Sequence, residues 1–167
     1  HVQTNPRNLL LIAEEISKRM AILDPDNARQ YQQSYEEFSS KWSEAIKTWE
    51  QRALPLRGKR VIAHHNSWVY LEDWLALEQV ATLEPVSGIP PTASHLSSLL
   101  NRFGENQGAD LIIHAPFQSD KASNWLSERT DIPAVMLPLT VGGTKQASDL
   151  YKWFDDIVNR LLEASSG

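Results

Sequence analysis

From Gly58 onward, short β-branched apolar runs alternate with amphipathic helical stretches, and that alternation leaves few folds open. The runs are RVIAH (60–64), VATLEP (80–85), ADLIIHAP (109–116) and AVMLPL (134–139). Between them, helices are predicted near 66–76, 92–104, 118–129 and 145–164. The last carries Ala147, Leu150, Phe154, Ile157 and Leu161 at helical spacing. Strands that are apolar along nearly their whole length are buried on both faces, so they pair in parallel under helices. The expected fold is α/β, a four-stranded parallel sheet flanked by helices.

Residues 1–57 read as a long helical region preceding an α/β lobe at 58–167. Asn5 suits a cap and Pro6 the first helical position, and Leu9, Ile12, Ile16, Met20 and Leu23 follow at helical spacing. Asp24-Pro25 restarts the pattern. Tyr31, Tyr35, Phe38, Trp42, Ile46, Trp49 and Ala53 then form one stripe, ended by Pro55 and expected to pack in the core. Such a helix would be on the order of 40 Å long. The tryptophans, mostly within helical stripes, are expected in the core too.

The 167 residues suit one ordinary domain, and the formal net charge of −5 argues against a nucleic-acid binder. With no cysteine, disulfides, thiolate metal sites and cysteine nucleophiles are excluded. No apolar run approaches the roughly 18 residues of a membrane span. The chain opens on His1 rather than Met, so it is expected to be a processed or shortened product.

In an open parallel sheet, ligands bind beyond the carboxyl ends of the strands. HHNS, EPVSGIPPT, HAPFQS and LTVGGT fall there, which brings His64, His65, Glu84 and His114 toward one rim. Successive strand residues point to opposite faces, so His64 and His65 share a cleft only if the strand has already ended. One of them is expected to be a ligand or catalytic group, the other to pack or cap. Imidazoles from separated segments are a normal zinc set, though a hydrogen-bonded pair or a catalytic base fits His-His as well. His95 reads as a solvated helix residue, and His114 as a rim group or a satisfied buried one. Glu84 reads as a brace for the GIPP turn. VGGT lacks the lysine and spacing of a phosphate loop and reads as a turn. Asp155 and Asp156 read as a solvated face.

Read in order, these segments resemble the ABC-transporter solute-binding proteins of the zinc-uptake periplasmic family. HVQTNPRN is similar to the end of that family's NPHxWLDPxN element, and LDPDNARQYQQSYEEF to its DPxNAxxYxxNxxxF helix. VIAHHNSWVYLEDWLALEQV resembles VVFHDAFGYFxxxYGLEQV, LEPVSGIPPTASHLSSLL resembles PGxEPSPxHLxxL, and HAPFQS takes the place of AEPQFS. The resemblance implies two α/β lobes joined by a long helix, with the ion between them; this chain would supply the connecting helix and the C-terminal lobe. It places His1 and His65 on metal-binding histidines, with His64 the third candidate.

Two departures matter. Asn66 follows His65 where the family often has Asp, and Leu137 stands where many members place a ligating carboxylate. Loss of that carboxylate favours a histidine-dominated site, hence zinc over manganese. The implied protein performs no chemistry. It is periplasmic, or extracellular and membrane-anchored, and passes zinc ion to an ABC permease in the inner membrane. The rival is a histidine- or metal-dependent α/β hydrolase using His65 and Ser67.

Overall fold

The computed structural model describes residues 1–104 and 108–166. After a 3-10 turn at Val2–Thr4 come α1 (Pro6–Leu23) and α2 (Ala28–Arg52), then β1 (Arg60–Ala63) and α3 (Val69–Leu75). β2 (Glu78–Thr82), α4 (Ala93–Phe103), β3 (Leu111–His114), α5 (Lys121–Thr130), β4 (Ala134–Met136) and α6 (Leu150–Ser165) complete the chain. Their boundaries follow local chemistry. Asn5 accepts the Arg7 amide through its side chain and Pro6 opens α1. Thr92 caps α4 and Asp149 caps α6 in the same way. Helix α3 starts at Val69 rather than 66, because the chain bends at 64–66 on leaving β1. Gly142, at φ +80°, makes the turn expected of VGGT, its amide donating to the Ala147 carbonyl.

The four strands are all parallel in the order β2-β1-β3-β4. Alternation along each strand divides the core in two. Val61, Ala63, Leu111, Ile113 and Val135 face one side with Trp42, Ile46, Trp49, Trp153 and Phe154 of α2 and α6. Ile62 and Ile112 face the other with Leu99 and Phe103 of α4 and Leu126 of α5. The stripe of α2 is core in its C-terminal half only. Trp42, Ile46, Trp49 and Ala53 are buried, whereas Tyr31, Tyr35 and Phe38 are half-buried along a groove shared with Ile16 and Met20 of α1.

Helix α6 is locked to α2 by an aromatic cluster. Trp42 meets Phe154 edge-on at 5.6 Å and Tyr151 at 4.9 Å, and Trp49 lies 5.2 Å from Phe154. Each such pair is worth about 0.5–1.5 kcal/mol beyond its buried area. The two aspartates of α6 depart from the solvated face expected of them. Asp155 accepts from Trp49 Nε1 at 2.9 Å and from Arg52 at 2.7 Å. Asp156, buried, accepts from Thr144 Oγ1 at 2.6 Å and Arg160 Nε at 2.8 Å. Helical period alone could not show that the chain brings donors to both.

Candidate metal site

The strand order fixes where a ligand can sit. The chain passes from β1 outward to β2, returns across β1 to β3, and continues to β4. The crossover helices therefore diverge between β1 and β3, and beyond the carboxyl ends of those strands lies the crevice in which open α/β sheets bind ligands. His64, His65 and His114 all fall at that point.

The two adjacent histidines are separated by the end of the ladder. His64 is still held as a strand residue: its amide donates to the Ile113 carbonyl at 2.8 Å, and its carbonyl accepts the Glu84 amide at 3.1 Å. It keeps the alternation and turns to the same face as Ile62, toward Leu96 and Trp125, and the residue is 5% exposed. His64 Nδ1 has no hydrogen-bond partner, and burial holds this imidazole below its ordinary pKa, a shift the Glu84 charge opposes and His65 reinforces. At His65 the ladder is over. The Ser67 amide turns back to the His65 carbonyl at 2.7 Å, and Trp68 is driven into the core ahead of α3. His65 is thereby freed from the pleat, and its side chain is 31% exposed.

The His65 ring is not loose. Its Nδ1 lies 2.7 Å from Glu84 Oε2, and the same oxygen accepts the Gly88 amide at 2.8 Å. Glu84 comes 19 residues after His65 in sequence. The sheet unites them: a one-residue slip in the β1–β2 pairing between Val61 and Ile62 lets the Leu83 and Glu84 amides reach the Ala63 and His64 carbonyls. Burial resists ionisation of Glu84, yet the bonds from His65 and the Gly88 amide outweigh it and hold the carboxyl below its ordinary pKa. Glu84 therefore braces its turn, as expected, and also grips His65. The signal for the second role was available in principle, since a carboxylate directly after a strand adjoining β1 lies within reach of the end of β1.

The remaining histidines divide. His114 is the satisfied buried one, 7% exposed, with Nδ1 3.3 Å from Ser123 Oγ; burial, then the neighbouring His64, lowers its pKa against the pull of Asp120. His95 is not simply solvated: its Nε2 lies 2.9 Å from the Thr82 carbonyl and ties α4 to the end of β2. His1 sits over the carboxyl ends of β3 and β4, lining a cavity of about 440 Å3 with Pro116, Phe117, Leu139 and Thr140. Its carbonyl accepts the Thr4 amide and hydroxyl at 3.0 and 2.9 Å. His1 and His65 thus occupy the same edge of the sheet over different strands. Among the described residues, no three His, Asp or Glu side chains converge to hold an ion. Leu137 is fully buried in the core that carries α2 and α6.

Solved structures share this architecture. A crystal structure of ZnuA superposes with a TM-score of 0.75 and 26% identity, covering 94% of this chain and 58% of that one. The Mn-bound periplasmic metal-binding protein of Candidatus Liberibacter asiaticus gives 0.77 at 16% identity, over 99% of this chain and 62% of its own. The solute-binding protein FpvC of Pseudomonas aeruginosa, in complex with Mn2+, gives 0.75 at 18% identity, over 100% and 64%. The chain thus spans about three fifths of the length of these structures. No curated protein matches it.

The fold is that of a lobe of a periplasmic metal-binding solute-binding protein. Residues 1–164 match the family described as zinc-uptake complex component A, periplasmic, and the chain belongs to that family. The family is one of transport components, not enzymes. Ser67, the nucleophile a hydrolase would have used, is 6% exposed.

Proposed function

We propose that this chain is the ion-holding lobe of a periplasmic zinc-binding protein that serves an ABC permease in the inner membrane. The observation that carries the reading is His65 at the switch point of the sheet, with Nδ1 engaged by Glu84 and Nε2 without a protein partner among the described residues. A neutral imidazole held in that way is a ready donor to zinc. His1, on the same edge, is the second ligand. His64 ranks third, because it is buried and lines a separate cavity with Pro90, Leu96 and Trp125. The boundary between the helical region (1–57) and the lobe (58–167) falls just before β1.

Zinc is preferred to manganese on donor chemistry. Two imidazoles and no carboxylate at Leu137 make a nitrogen-rich set, whereas manganese favours oxygen. The experiment is zinc titration calorimetry on the full-length protein and on His65→Ala, repeated with manganese. Loss of zinc binding in the variant is the expected result. Undiminished zinc affinity would remove the proposal, and a preference for manganese would overturn the choice of ion.

A further inference from the structure

We infer that Glu84 is a positioning residue for the ion, fixing the tautomer and direction of the His65 ring without itself touching the metal; the inference rests on His65 being a ligand as proposed above. Glu84 Oε2 stands 2.7 Å from Nδ1, and the Gly88 amide donates to that same oxygen. An ionised carboxylate only accepts, so the Nδ1 position carries the imidazole proton. The lone pair is then confined to Nε2, on the other side of the ring from Glu84. An ion bound there cannot also be ligated by Glu84 through the oxygen that holds Nδ1.

The arrangement is a carboxylate–histidine–metal relay, in which the carboxylate orients the ring and strengthens Nε2 as a donor. Three features show that it is built rather than incidental. The carboxylate is itself anchored by the Gly88 amide, so the ring is held by a fixed group. Glu84 is delivered by backbone bonds from the residues that end β1, Ala63 and His64. Its side chain is 14% exposed, so water competes little for it. Free imidazole has no such constraint and exchanges its proton between the two nitrogens. Glu84 removes that freedom before the ion arrives, and less ordering remains for binding to supply.

The test uses full-length protein and the variants Glu84→Ala, Glu84→Gln and His65→Ala. Zinc affinity is read by competition with a chelating dye, and the His65 tautomer in metal-free protein by long-range proton–nitrogen NMR. The expected results are Nδ1–H on His65 in the parent, a shift toward Nε2–H in Glu84→Ala, and a loss of about 10–100-fold in zinc affinity there. Glu84→Gln keeps an acceptor for Nδ1 and for the Gly88 amide, so it should retain the tautomer and lose less affinity. If His65→Ala abolishes binding while both Glu84 variants keep the parent's affinity, the inference falls and the transport reading stands. If His65→Ala binds zinc normally, both fall. Should Glu84→Ala fail to fold, the metal-free parent decides by itself: an Nε2–H tautomer on its His65 overturns the inference, and an Nδ1–H tautomer kept in Glu84→Gln supports it.

Discussion

Glu72 offers a prediction in which the size of the effect comes directly from the structure. It lies on α3, is 8% exposed, and its Oε1 has no hydrogen-bond partner. Among the described residues no cation pairs with it. Burial alone raises its pKa from 4.5 to about 7. The folded state therefore holds the proton more tightly than the unfolded chain. This group costs no stability below about pH 4.5, and its cost grows until the pH passes about 7. At about 1.4 kcal/mol per pH unit, the gap between those values corresponds to about 3 kcal/mol. Glu72→Gln mimics the protonated form at every pH. The variant should match the parent near pH 4.5 and exceed it by about 3 kcal/mol near pH 8. Urea denaturation of both proteins across that range measures the difference, and subtraction cancels the carboxylates held low by their partners, Asp24, Asp110 and Asp149. A difference that stays constant with pH would refute the reasoning, since it would mean that Glu72 is ionised in the fold as easily as in the unfolded chain.

Two further substitutions test the frame around the site. Asp155→Ala strips the acceptor from Trp49 Nε1, on a residue 2% exposed, and should cost about 1–3 kcal/mol in chemical denaturation; the half-exposed Arg52 pair adds little. Leu137→Asp places a carboxylate where the family resemblance leads one to expect a ligand, but here the position is fully buried among apolar side chains. It should destabilise the fold by more than about 3 kcal/mol and create no manganese site, measured by thermal unfolding and manganese titration. A stable Leu137→Asp that binds manganese would show that the rim can be rebuilt by a single side chain.

The elements were legible in the sequence because their determinants are local. Apolar runs such as RVIAH and DLIIH specify strands buried on both faces, period-3.6 patterns specify helices, and Asn5-Pro6 marks where the first begins, whereas the last, expected from 145, starts at Leu150 behind its Asp149 cap. Alternating strands and helices then require a parallel sheet, since each strand must return to the same end before pairing. The His64-His65 pair could be marked on the same grounds, as lying at a strand's carboxyl end, and the family resemblance chose His65 between them.

What the sequence left open was decided by contacts between distant segments. Whether β2 or β3 lies beside β1 is a matter of how crossovers pack; here both do, and the crevice forms between β1 and β3. His64 and His65 are chemically identical neighbours, and only the last backbone bonds of the ladder, to Ile113 and Glu84, turn one ring inward and release the other. Glu84 finds His65, His95 finds the Thr82 carbonyl and Asp155 finds Trp49 because the sheet and helices bring together atoms 13 to 106 residues apart. Local propensity acts over one turn or one pleat, so it carries no information about partners at that separation.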